Sequence, residues 1–302
     1  MRSKNETGFP VLITGCSTGF GRLMAEKLAR RGDTVYATMR GVDGKNREIA
    51  GELRRLAADE NLALHVLELD VTSDASVDAA CAKLIAEAGA PDVVVNNAGQ
   101  MYVGLTEAFT ADEFARQLDI NLVGVHRVNR ALLPAMRQRG RGLIINVSST
   151  AGRVSVPFFP VYHASKWGLE GYSLGLRAEL ASSGVDVVIV EPGPFGTELF
   201  PRSPQPADAD GRAATYPDVV PEAFDDLQAA FDGIFADPEA PTDPKLVVDA
   251  MIDLIDQEPG TRPQRTVVGV DFGVRERNEF SDARDAELLV AIQLTEFATL
   301  RR

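Results

Sequence analysis

Cysteine and histidine are scarce in this chain. The two cysteines, Cys16 and Cys81, lie far apart in unlike surroundings, which excludes a disulfide framework and a cysteine-built metal site. The three histidines, His65, His126 and His163, have no cluster of ligand-type residues around them, so no metal is expected. Positive charge is in deficit, with 31 Lys and Arg against 44 Asp and Glu and a net charge of -13. Such a surface suits neither nucleic acid nor anionic membrane, because phosphate recognition needs a basic face. Long apolar runs are missing as well. The first, residues 9–13, is too short for the core of a signal peptide or for a membrane span, and the cytoplasm is the expected location. What is left, 45% hydrophobic and 25% charged residues, is the make-up of an ordinary globular protein. At 302 residues length alone suggests two domains, but no linker divides the chain and one large α/β sheet accommodates it.

The chain opens with a predicted strand at 10–13 that runs into Thr14-Gly15-Cys16-Ser17-Thr18-Gly19-Phe20-Gly21. A helical stretch over 22–31 follows and ends at Gly32. Glycines at this junction let the backbone approach a pyrophosphate, and the helix N-terminus offers free N–H groups and a positive dipole end. A turn that merely tolerates glycine does not demand a strand and a helix on either side. The second strand, 34–39, is followed by Arg40. Dinucleotide folds place an acid here to hold the adenosine 2′-hydroxyl, whereas arginine accommodates a 2′-phosphate. Arg40, helped by Ser17 or Thr18, therefore favours NADP(H) over NAD(H); the plain alternative is a surface arginine.

Residues 45–58 predict an amphipathic helix, and 62–69 a third strand ending in Asp70, a candidate for the adenine rim or for capping the turn at Thr72 and Ser73. After a helix over 74–88, a fourth strand at 92–95 delivers Asn96-Asn97-Ala98-Gly99. Gly99 lets the chain pass beside a cofactor ribose, while both asparagines are also suited to bracing the turn. Residues 110–139 predict one long helix with Asn121 inside it. An amide there is unfavourable unless it does something, and a local distortion that orients Lys166 through water is one such use. Pro134 is expected to kink or end that helix.

The apolar run 143–147 predicts a buried fifth strand leading to Ser148 and Ser149, followed by a helix reaching about residue 183. On that helix Tyr162 and Lys166 project from one face about a turn apart. A free tyrosine, with a pKa near ~10, is no base at neutral pH, but an ammonium held nearby favours the phenolate. Lowering the value by about three units takes roughly 4 kcal/mol. Ser149 can then hold the oxygen of a carbonyl or alcohol while the tyrosine exchanges a proton with it. Tyr and Lys at this spacing also occur by chance; a hydride carrier elsewhere in the chain gives the pair its meaning. A sixth strand, 185–190, ends in Glu191-Pro192-Gly193-Pro194-Phe195-Gly196-Thr197, whose threonine hydroxyl suits a carboxamide.

With these residues assembled, the chain resembles the short-chain dehydrogenase/reductase family. The TGCSTGFG loop, the NNAG turn, the set Asn121, Ser149, Tyr162 and Lys166, and the PGPFGT turn follow the family's order and spacing from residue 10 to about 197. The glycine loop has the spacing of the single-domain members, and TGCS with VYATMR resembles the 17β-hydroxysteroid and retinol dehydrogenase branch. The resemblance implies a doubly wound Rossmann α/β domain with a seven-stranded parallel sheet. It makes Tyr162 the acid/base, with Lys166 lowering its pKa and holding the nicotinamide ribose. Ser149 binds the reacting oxygen and Asn121 positions a relay water. Thr197 meets the carboxamide, Asp70 and Asn97 sit near adenine and ribose, and Val71, Ala98, Pro192 and Gly193 border the cofactor.

Ligands of open α/β sheets bind outside the carboxyl ends of the strands. The loops there carry Met101, Tyr102, Val103, Val154, Val156, Phe158, Phe159, Phe195, Leu199 and Phe200. They predict a largely apolar site with Arg153 the one charge nearby. His163, next to Tyr162, reads as structural. Residues 201–217 read as a mobile loop, and 221–235 place Phe224, Leu227, Phe231, Ile234 and Phe235 at helical spacing. Together, residues 198–242 form an insertion expected to act as a lid. A helix over 243–257, a seventh strand over 265–270 and a terminal helix over 285–300 complete the chain. Family members pair through the helices holding Asn121 and Tyr162, so a homodimer or homotetramer is expected. The reading is an NADP(H)-dependent oxidoreductase interconverting a carbonyl and an alcohol on a small apolar substrate. Its rivals are an NAD-dependent alcohol or hydroxysteroid dehydrogenase working oxidatively and a non-catalytic NADP sensor.

Overall fold

The computed structural model describes residues 8–297 and 300. Seven strands form one parallel sheet in the order β3-β2-β1-β4-β5-β6-β7. They are β1 Pro10–Ile13, β2 Thr34–Met39, β3 Leu64–Glu68, β4 Val93–Asn96, β5 Gly142–Val147, β6 Val185–Pro192 and β7 Arg265–Val268. Their continuous valine, isoleucine and leucine runs are what a sheet covered on both faces requires. Alternation along β1 sorts the two cores. Val11 and Ile13 face a layer with α1 (Gly19–Arg31), α2 (Arg47–Asp59) and α9 (Lys245–Asp256). Leu12 faces α3 (Asp74–Ala88), α5 (Gly124–Arg139) and α6 (Pro160–Leu180). The strand order reverses between β1 and β4, and the crevice above that point is where such sheets take ligands.

The predicted helix over 110–139 is two helices. Its start is fixed by a capping box between Thr110 and Glu113. α4 (Ala111–Leu118) then passes into a π-turn, Asp119–Val123, before α5 begins. The distortion falls on Asn121, where the amide made the helix suspect. Pro134, by contrast, neither ends nor breaks α5, which continues to Arg139 and stops at Gly140 with φ +75°. Pro134 and Arg130, whose carbonyl loses its partner, are both exposed, so water replaces the lost bond. Buried Leu132 and Met136 hold the helix on either side.

Between β6 and α9 the chain forms α7 (Ala209–Ala213) and α8 (Val219–Ala236), the latter close to the predicted insertion helix. The last long helix departs from expectation: α10 spans Val274–Ala291 rather than 285–300. Its charged first half hides the helical pattern. Gly273, at φ +77°, turns the chain into it, and only Val274 and Asn278 are buried. The end of the predicted helix, at 298–299, lies outside the described residues. No described helix is long and apolar enough to cross a membrane.

Candidate active site

The loop after β1 and the turn after β4 are built against each other. Thr14 Oγ1 accepts the backbone N–H groups of Asn97 and Ala98, each at 3.0 Å. Asn97 Nδ2 donates to the carbonyls of Thr14 at 2.8 Å and Gly15 at 3.1 Å. The Asn97 side chain is therefore a strut of the loop. A Cβ on Gly15 would lie 2.8 Å from Ala98 Cα, and one on Gly21 would lie 2.5 Å from both Asn97 Nδ2 and the Gly15 carbonyl oxygen. These glycines are required by close approach. Gly21→Ala is accordingly expected to destabilise the fold by about 1–3 kcal/mol and to displace the loop. Thermal melts read the first effect, as a lower Tm.

Asn96, the other candidate strut, is buried. It donates to Asn129 Oδ1 at 2.9 Å and Asn146 Oδ1 at 2.8 Å, tying β4 to β5 and α5. Asn146 passes the chain on to Ser173 of α6 at 2.8 Å. Sequence reasoning did not single out Asn129 or Asn146, although asparagine inside an apolar strand was a visible signal.

One cavity of about 920 Å³ runs along the carboxyl ends of the strands. Every sequence-predicted cofactor residue lines it except Gly21, which packs beneath the loop. Arg40, which follows β2, lines the cavity, as do Ser17 and Thr18, and the structure adds Lys45 and Arg202, with Lys45 feeling the charges of both arginines. Partial burial lowers the pKa of Lys45; Arg40 and Arg202 act in the same direction, with Asp70 opposing. Arg202 comes from the distant insertion, and no local pattern announces it. Asp70 accepts from the backbone and hydroxyl of Thr72 at 3.0 and 2.8 Å, so it caps the turn while lining the cavity. Burial works to raise its pKa, but those bonds, with the charges of Arg40 and Lys45, hold it below the ordinary value.

Ser149, Tyr162 and Lys166 line the same cavity. Ser149 follows β5; its hydroxyl accepts from Ala151 N at 3.1 Å and lies 3.3 Å from the Pro192 carbonyl. Tyr162 and Lys166 occupy the first turns of α6, which begins at Pro160, a residue suited to a helix start. Both side chains are buried. Lys166 Nζ donates to the Val147 carbonyl at 2.9 Å and sits 5.8 Å from the centre of the Tyr162 ring. Burial pushes the Tyr162 phenol up to about 12, against a lowering by its hydrogen bond to Ser149. Burial also lowers Lys166 to about 8, opposed by the charge of Glu170. The phenol is thus raised and not lowered, because desolvation of the phenolate outweighs its bond to Ser149. Tyr162 is a neutral phenol at pH 7, the state of a proton donor.

Asn121 does not line the cavity. Its amide donates to the Gln100 carbonyl at 2.9 Å and Ser165 Oγ at 3.0 Å, and its Oδ1 accepts from Gln100 N at 2.9 Å. It braces the segment after the NNAG turn against α6. A Cβ on Gly99 would lie 3.4 Å from Asn121 Oδ1 and 4.0 Å from Lys166 Nζ, so the glycine lets these groups converge. His163 has both ring nitrogens engaged, with the Ala151 carbonyl at 2.7 Å and Val156 N at 3.0 Å. That is a structural role, as expected.

The apolar part of the cavity is lined by Met101, Val154, Val156, Phe159, Phe195, Leu199 and Phe200, as predicted. Tyr102 is not among them and stacks instead on Phe109. Val103 and Phe158 pack in the adjoining apolar cluster without lining the cavity. Arg153 is turned away, donating to Asn278 Oδ1 at 2.8 Å and Ser281 Oγ at 2.5 Å, and it too leaves the cavity wall. The missing lining comes from α8, with Leu227, Phe231 and Ile234, and from Phe272.

A family model described as short chain dehydrogenase matches residues 10–207. The chain belongs to this family. Among short-chain dehydrogenase relatives, 3-ketodihydrosphingosine reductase of Bacteroides thetaiotaomicron is 39% identical over 187 residues, or 62% of this chain and 64% of that protein. Human 17-beta-hydroxysteroid dehydrogenase type 1 is 40% identical over 195 residues, 64% of this chain and 58% of that one. The chain thus spans under two thirds of the length of both relatives. A short-chain dehydrogenase structure from Streptomyces avermitilis superposes with a TM-score of 0.74 at 31% identity, covering 95% of this chain and 98% of that one. The family fold implies a nicotinamide cofactor, and the residues fit it. Two glycines admit close backbone approach, the first turn of α1 carries no acidic residue, and the cavity joins a basic end to the Tyr162 end.

Proposed function

We propose that this chain is an NADP(H)-dependent oxidoreductase that interconverts a carbonyl and an alcohol on an apolar substrate, with Tyr162 as the proton donor in the reducing direction. The observation that carries this reading is a buried Tyr162 beside Ser149, in one cavity with the glycine loop and the apolar lining. Bound there, the nicotinamide supplies or removes the hydride. Ser149 orients the substrate oxygen, and Tyr162 releases its proton to that oxygen as negative charge develops. Lys166, buried beneath the ring, holds the ribose end and stabilises the phenolate left behind. Arg40, Lys45 and Arg202 favour the 2′-phosphate of NADP(H), since Arg202 and Lys45 add positive charge where an acid would mark NAD(H). A relative of related size, the NADPH-dependent pterin aldehyde reductase of Arabidopsis thaliana, is 37% identical over 192 residues, 63% of this chain and 76% of that one. The NADPH dependence of that relative supports the cofactor choice.

Residues 198–242 act as the lid. Phe231 rests on Phe159 and Phe200, each with ring centres 6.0 Å away, and Phe224 meets Phe158 edge-on at 5.1 Å. Phe231→Ala is expected to raise KM for bulky apolar ketones about 10-fold while leaving small ketones and NADPH affinity nearly unchanged. Equal losses for all substrates would remove the lid from the account. The reading as a whole is tested by following NADPH and NADH oxidation over ketones and aldehydes from small and polar to steroid-sized. Turnover that prefers NADPH and rises with apolar size is the expected result. Preference for NADH, or silence across the panel with NADPH bound, contradicts it.

A further inference from the structure

Behind the reactive face of α6 lies a buried ionic cluster that the reaction as described does not use. Arg265, at the start of β7, is 3% exposed and pairs with Glu170 of α6 at 3.0 Å and with Glu191 of β6 at 3.9 Å. It also pairs with Asp282 of α10. Asn278 of the same helix donates to Glu191 at 2.5 Å and accepts from Arg153 at 2.8 Å. Ser148, adjacent to Ser149, lies beside the Glu170 carboxylate, as a Cβ on Gly152 would sit 2.9 Å from Ser148 Oγ and 3.3 Å from Glu170 Oε1. The cluster therefore joins α10 to two parts of the site: the turn of α6 following Lys166, and the end of β6 just before Pro192 and Gly193.

The charges in this space can be counted. Glu170, Glu191 and Asp282 face Arg265 and Arg153, with Arg277 acting on Arg153 from outside. Lys166, one turn before Glu170 on α6, is the third cation, so acids and cations match in number. Burial, then the charge of Glu170, pushes the Glu191 carboxyl up to about 8. Glu170, paired with Arg265 at 3.0 Å, is raised by burial as well, with the charges of Arg265 and Arg153 opposing. Its charge is felt at Lys166, one turn earlier on α6, where it offsets the desolvation that lowers the ammonium to about 8. It does not figure among the influences on Tyr162, which are burial and Ser149.

We propose that Glu170 is a positioning residue for the reaction: fixed to Arg265 under α10, it keeps the Lys166 ammonium charged, so that the C-terminal helix sets the charge state of the catalytic helix. This inference rests on the reading of Tyr162 and Lys166 given above. The consequence is an alkaline limit. As pH rises through about 8, Lys166 loses its proton, and without Glu170 that loss begins at lower pH.

The test is competitive labelling of the full chain with trace acetic anhydride across pH, read for each lysine by mass spectrometry. In wild type Lys166 should titrate near 8. In Glu170→Gln it should move down by on the order of half a pH unit or more, and in Glu170→Asp it should return most of the way. Labelling of Lys27 and Lys83, on distant helices, serves as the internal standard for reagent. The alkaline limb of kcat/KM should shift by the same amount, which a purely structural role for Glu170 would not produce. Should Glu170→Gln fail to fold, Asp282→Asn removes an anion from the 30%-exposed rim of the cluster and should shift Lys166 the same way by less. An unchanged Lys166 titration in the folded variants overturns the inference while leaving the reaction intact. Wild-type turnover in Tyr162→Phe overturns the reaction instead, whatever Lys166 does.

Discussion

Tyr162→Phe is expected to lower kcat for ketone reduction by about 1,000-fold, within the ~10²–10⁴ range of a positioned proton donor, while NADPH still binds. The substitution removes one oxygen. The ring stays packed with Met101, Val103 and Phe159, and the fold loses a hydrogen bond to Ser149 worth about 1 kcal/mol. On the proposed reading, the phenol, raised to about 12 by burial, holds its proton at the start of reduction. The oxidative direction needs the phenolate and should accelerate as pH rises, until Lys166 begins to lose its own proton near 8. Steady-state kinetics paired with NADPH titration of protein fluorescence separates the two effects. A mutant that reduces ketones at the wild-type rate would remove Tyr162 from the mechanism.

The second large effect concerns the opposite end of the cavity. Arg40→Ala is expected to weaken NADPH binding about 10- to 100-fold, the loss of a charge-assisted hydrogen bond of ~1.5–3 kcal/mol, and to leave NADH binding almost unchanged. Lys45 and Arg202 share the wall and keep the single variant toward the lower end. The double variant Arg40→Ala with Lys45→Ala should fall further and show a weaker dependence on salt, since fewer cations meet the phosphate. Calorimetric titration with both cofactors checks this. An equal loss for NADH and NADPH would mean that Arg40 holds something other than the 2′-phosphate.

Much of this molecule was legible because local rules and tertiary demands agree. The structure keeps the continuous apolar strands, the close-packed glycines of the β1–α1 turn and the placing of Tyr162 and Lys166 a turn apart on one helix. Asn121 was legible as a misfit, and the π-turn is where the misfit went. Other features fail locally for identifiable reasons. Pro134 is tolerated because its defect faces water. Arg153, read as a charge near the substrate, is drawn off by Asn278 and Ser281 of a helix whose polar first half gave no apolar period. Arg202 reaches the cavity wall only through the folding of the insertion. The direction of the Tyr162 shift was missed for a different reason. Spacing tells which charge is near a phenol, but burial decides how much the phenolate costs, and burial is set by the whole fold.

The most direct test of the central claim is to follow the transferred hydrogen. NADPH deuterated at the reactive C4 position is incubated with a bulky apolar ketone and the enzyme, and the alcohol formed is examined by mass spectrometry. Direct hydride transfer with Tyr162 as proton donor predicts a product with one deuterium on the carbinol carbon, and no such product from Tyr162→Phe over the same period. Alcohol without deuterium, or deuterated alcohol formed equally fast by the mutant, would contradict the account.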